Sequence, residues 1–168
     1  MKVELKNIKT AAFVVDEPGY YQAVVYLDGV KSLEASNGGD GGGDRFRDLV
    51  PGAYDRLAAY CATLPPYKSP YGMRDLPMSP DMLMATLVDM DSVRKKLSRS
   101  LKKATMYTRT DALGVWKVKL PYTAESDKRL RKTVKVACIL NTLPMEEAVA
   151  LYMKATEAAE SAKTVVDA

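Results

Sequence analysis

The chain contains no histidine. That excludes a Ser-His-Asp or Cys-His catalytic site and any zinc site that needs imidazole. Cysteine is nearly absent as well. Cys61 and Cys138 stand alone, too few for a four-thiolate zinc site, and each falls on an apolar pattern that suits a reduced, packed thiol. There is no Walker-type lysine loop and no strand–GxGxxG–helix arrangement. No apolar run approaches the roughly 20 residues that span a bilayer. The N-terminus, Met1-Lys2-Val3-Glu4-Leu5-Lys6, lacks the apolar core of a secretory signal, so a cytoplasmic protein is expected. An enzyme built from this sequence would have to rely on carboxylates, lysine, tyrosine or a carboxylate-bound metal. The expectation is a non-enzymatic protein with no cofactor, no metal and no catalytic residue.

What the chain does have is charge in the wrong proportions locally. Arg94 to Lys135 holds fourteen Lys/Arg against Asp111, Glu125 and Asp127, a local net of +11 inside a total of +4. The remaining residues carry −7. A modest overall charge therefore hides a strongly polar molecule.

The 168 residues suit one α+β domain, with a subdomain boundary placed at 65–79 if there is one. Residues 2–15 and Tyr20–Leu27 read as strands, joined by turn chemistry at Asp16-Glu17-Pro18-Gly19. Asp28-Gly29 marks a tight hairpin and Val30–Ser36 a third strand, completing an antiparallel meander. About four helices and a second β-hairpin follow. Pro51–Leu64 carries Tyr54, Leu57, Ala58 and Cys61 at helical spacing, and the Pro-rich 66–78 segment, with Tyr67 and Tyr71, breaks it. Ser79-Pro80-Asp81 starts a helix through about Lys103. Residues 104–122 form the hairpin, with Trp116, Val118 and Leu120 on one strand face, expected to be the core side, and Lys117 and Lys119 on the other. Thr123 or Ser126 caps a helix through about Leu140, and a last helix runs from Leu143-Pro144 to about Ala162.

Two stretches carry candidate chemistry. The loop from Asn37 to Asp44 is rich in glycine and is expected to join strand to helix. Either it is a simple connector, or its bare amides approach a phosphate with Arg45 and Arg47 as anion contacts, or Asp40 and Asp44 hold a divalent cation. The second stretch is the basic one. Lys95, Arg99, Lys102 and Lys103 lie near the end of one helix, Arg109, Lys117 and Lys119 on the hairpin, and Lys128, Arg131, Lys132 and Lys135 along one helical stripe. So many like charges on consecutive elements fit an external polyanion: nucleic acid, a nucleoprotein, or an acidic protein surface. Tyr107, Tyr122 and Arg109 are candidates for stacking on bases. The charge asymmetry leaves a third possibility, head-to-tail pairing of copies in a homo-oligomer.

The words Leu5-Lys6-Asn7-Ile8-Lys9-Thr10-Ala11-Ala12-Phe13, Val25-Tyr26-Leu27-Asp28-Gly29 and Ser36-Asn37 before the glycine run, together with Leu140-Asn141-Thr142-Leu143-Pro144, resemble uncharacterised small proteins carried by phages and plasmids. That resemblance implies a mobile-element origin, where small binding proteins that block host defence complexes are common, and action inside the host cell. It implies no functional residues, and the basic middle is no part of it.

Overall fold

The computed structural model describes residues 1–10, 19–67 and 75–166. Expectations for Ala11–Val15, for the Asp16-Glu17-Pro18 turn and for Tyr71 lie outside the described residues. The chain divides into two compact units, Met1–Asp89 and Met90–Ala168.

In the first unit four strands form an antiparallel meander: β1 (Val3–Thr10), β2 (Tyr21–Leu27), β3 (Val30–Asn37) and β4 (Arg45–Asp48). Strict alternation explains it. Tyr21, Ala23, Val25 and Leu27 on β2 are buried with Leu33 and Ala35 of β3, and pairing sets Val25 against Leu33 and Ala23 against Ala35. Asp28 and Gly29 both take positive φ, 50° and 82°, which is the two-residue turn whose twist matches the strands it joins. The helix α1 (Ala53–Cys61) adds Ala53, Leu57 and Cys61 to this core, and the start of α2 (Pro80–Leu101) adds Met84. The Ser79 hydroxyl accepts from the Met82 amide at 3.3 Å, as expected of an N-cap. Tyr67 bridges to Leu76 across the Pro-rich segment.

Two expectations are corrected here. The meander has four strands, not three, and the glycine loop joins strand to strand. Phe46 supplies the reason: it turns inward and packs against Tyr54 with ring centres 5.2 Å apart, while Arg45 and Arg47 point outward on a strand only four residues long.

The second unit contains the rest of α2, the strands β5 (Thr105–Arg109) and β6 (Trp116–Val118), the helix α3 (Ala124–Thr133), β7 (Val136–Ile139), a 3-10 turn (Leu140–Thr142) and α4 (Met145–Val166). The sheet order is β6-β5-β7, all antiparallel, so β6 is an edge. Its core gathers Leu97, Met106, Leu140, Ala148 and Val149.

The helix expected to reach Leu140 stops at Thr133. Its start follows the sequence: Thr123 accepts from the Ser126 amide at 3.0 Å, and Ser126 accepts from the Thr123 amide at 2.8 Å. Its end does not, because Val134 is extended (φ −135°, ψ 143°). Four residues, Val136 to Ile139, then pair with β5, which buries Ile139. Cys138 is therefore on a strand and not a helix, and both cysteines are free thiols. No helix among the described residues is long and apolar enough to cross a membrane.

Candidate functional site

The second unit holds sixteen Lys/Arg against nine Asp/Glu, a net of +7, whereas the first unit is at −3. All eleven cations singled out from the sequence lie in the second unit. Four elements and their links carry them. Lys95 and Arg99 are on the last turns of α2, with Lys102 and Lys103 just beyond it. Arg109 ends β5, Lys117 is on β6, and Lys119 follows it. Lys128, Arg131 and Lys132 are on α3. Lys135 leaves the helical stripe, because α3 has already ended; its carbonyl instead accepts from the Thr110 amide at 3.0 Å.

Ion pairing divides this set. Lys95 meets Asp91 at 2.6 Å and Arg131 meets Asp127 at 2.6 Å, each one helical turn apart. Arg109 makes a two-pronged bond to Asp111, at 2.8 and 3.0 Å. That bond holds the Asp111 carboxyl below its ordinary range and raises the guanidinium further. Arg99, Lys102, Lys103, Lys117, Lys119, Lys128, Lys132 and Lys135 are exposed and form no ion pair among the described residues. Arg94, inside the same charge run, is set apart: it bonds Glu146 of α4 at 2.6 Å and is a structural tie.

The aromatic expectation is corrected. Tyr107 is buried, at 6% exposure, and is closed to an external ring; Tyr122 is half-buried. Trp116, expected in the core, is 40% exposed, and Leu120 is 58% exposed. The alternation holds across the three strand residues, since Thr105 pairs with Val118 and Tyr107 with Trp116, and ends there. The sides are exchanged: Val115 packs with Met106 on the core, leaving Trp116 and Val118 on the other face. There the Arg109 guanidinium lies 4.9 Å from the centre of the Trp116 ring. Sequence reasoning missed Trp116 because alternation says which residues share a face but not which face the core takes.

Beside that face runs a groove of about 590 Å³ between the hairpin and α3, floored by Thr105, Val118 and Leu120 and walled by Leu130 and Arg129. It stays open because α3 buries no residue at all. Helical geometry places Lys128 and Lys132 on the opposite side of α3 from Leu130.

The glycine loop of the first unit is a network of internal bonds. The Gly39 amide donates to Asn37 Oδ1 at 2.8 Å and the Gly42 amide to Asp40 Oδ1 at 3.1 Å. The Tyr21 hydroxyl donates to Asp44, Asn37 Nδ2 donates to the same carboxylate at 2.8 Å, and the Asp44 amide donates to Asp81. Two of the amides that a phosphate would need are thus already bonded. Among the described residues no three Asp, Glu or Cys side chains converge as metal ligands. Arg45 and Arg47 lie apart from this network, on the outer sheet face. They line a shallow depression of about 750 Å³ with Lys9 and Gln22, and Arg47 bonds Glu34 at 2.5 Å.

No protein-family model, curated protein or solved structure matches this chain.

Proposed function

We propose that this is a non-enzymatic binding protein whose Met90–Ala168 unit docks on the phosphate backbone of a nucleic acid, free or exposed within a nucleoprotein complex. One observation carries the reading. Eight of those eleven cations are exposed and have no ion pair among the described residues, although the unit contains nine acidic groups. Gathering like charges raises the free energy of the folded state, and an external polyanion removes that cost while releasing its own counterions. A solvated face on one helix would need no such partner. Here the excess spans α2, the β5–β6 hairpin and α3.

In a mobile element, such docking would inhibit a host defence complex that works on nucleic acid. The direct test reverses charge at Lys128, Arg131, Lys132 and Lys135 together and measures binding to labelled DNA and RNA. Affinity should fall about a hundredfold or more, since phosphate contacts are replaced by repulsion. Unchanged affinity in a folded variant would overturn the proposal.

A further inference from the structure

The unit presents one short open strand, Trp116–Val118, from which the chain continues through Lys119 to Leu120. Trp116 and Val118 fall on one side of it and Lys117 on the other. The strand is a sheet edge, so one side of its backbone is unpaired. Leu120 is fixed beyond the strand end by two bonds, its amide to the Val118 carbonyl at 2.8 Å and its carbonyl from the Thr105 hydroxyl at 3.0 Å.

From this arrangement we infer that the edge from Trp116 to Leu120, with its groove against α3, is a site for single-stranded nucleic acid, in which an unstacked base lies on the Trp116 ring. The inference rests on the nucleic-acid reading above and narrows it to one form of the ligand. Three observations favour a single strand over a duplex. The tryptophan is exposed yet held, because Arg109 stacks on it at 4.9 Å and Asp111 fixes Arg109; a rigid indole stacks on a base at low entropic cost. Alternate residues on the strand repeat at about 6.8 Å. That is twice the roughly 3.4 Å rise of bases stacked in a duplex, so the Trp116–Val118 pair matches bases drawn apart. The groove beside the pair is open, as an extruded base requires; Val118, Leu120 and Leu130 line it with the Thr105 hydroxyl, and Arg129, with Glu125 near it, offers a cation to the strand.

Lys117 and Lys119 then meet phosphates along the edge, while Trp116, Val118 and Leu120 meet bases and sugars. Such a site tolerates any sequence, since every base has a flat π-face.

Trp116 is the only tryptophan, so its fluorescence reports this site alone. The experiment titrates the full chain with a thymidine 12-mer and with a mixed-sequence duplex, reading tryptophan emission and, separately, anisotropy of labelled nucleic acid. Wild type should bind the single strand with quenched emission. Trp116→Ala should weaken single-strand binding about tenfold or more and leave duplex binding unchanged, while Trp116→Phe should recover most of the loss. Single-strand binding without quenching, and with equal affinity in Trp116→Ala, would overturn the stacking site while leaving the basic-surface reading standing. Failure to bind either nucleic acid would overturn both.

Discussion

The guanidinium of Arg109 stacks on Trp116 at 4.9 Å, and it is held there by a carboxylate two residues along the chain. Asp111 takes both prongs of the guanidinium. Its pKa lies below the ordinary 3.8 because Arg109 bonds and attracts the charged form. A depressed carboxyl pKa contributes stability that is fully present above about pH 3.9 and lost as pH falls through the folded value. Wild-type tryptophan emission should therefore be flat from pH 7 to about 4 and change below it as Arg109 is released. Asp111→Asn should show a released spectrum at pH 7 and no such transition. The same acid transition in both proteins would show that Asp111 does not hold the stack.

Asn141 ties three elements of the second unit together. Its Oδ1 accepts from the Met106 amide at 2.9 Å, and its Nδ2 donates to the Leu101 and Ala104 carbonyls at 3.0 Å each. Carbonyls at a helix end have no partner within the helix and need one outside it. Asn141→Ala leaves all three groups unpaired and should cost about 2–3 kcal/mol in urea unfolding. Asn141→Asp keeps the acceptor for Met106 but sets a carboxylate against two carbonyls. At neutral pH it should destabilise at least as much. Stability within about 0.5 kcal/mol of wild type for either variant would deny Asn141 this role.

In the first unit the Tyr21 hydroxyl closes the glycine loop by donating to Asp44. Burial, then the bond to the Asp44 carboxylate, raise its pKa well above the ordinary 10.0, so it remains a donor. Tyr21→Phe should cost about 1–2 kcal/mol at pH 7. A raised pKa gives stability that is present below about pH 10 and shrinks as pH rises beyond it, where the unfolded tyrosine ionises. Urea unfolding at pH 7 and pH 10.5 should show the gap between wild type and Tyr21→Phe narrowing at the higher pH. A gap that stays constant would place the hydroxyl outside this network.

The parts of the fold legible in the sequence are those where local chemistry and burial agree. Alternation on Tyr21–Leu27, the Asp28-Gly29 turn and the Thr123–Ser126 cap all point to the elements that form. Shorter elements depend on partners that no local pattern names. Arg45–Asp48 is four residues beside a glycine run, and only Phe46 signals that it pairs with β3. Val136–Ile139 continues the helical spacing of Leu130 and Val134, yet its β-branched Val136 and Ile139 pair with β5. The basic residues were legible as a group because charge is read from composition. Their aromatic companion was not, since the core could take either face of the β6 strand, and the burial of Met106 and Val115 decided it.

The most direct test of the basic surface is binding to mixed-sequence DNA and RNA across a salt series. Five to seven phosphate contacts should give log Kobs falling with log[salt] at a slope of about −4.5 to −6 on duplex DNA, at roughly −0.9 per phosphate. Fewer such contacts on the Lys128/Arg131/Lys132/Lys135 charge-reversal variant should flatten that slope. Absence of binding at about 50 mM salt, or binding whose affinity does not change with salt, would contradict a phosphate-docking surface.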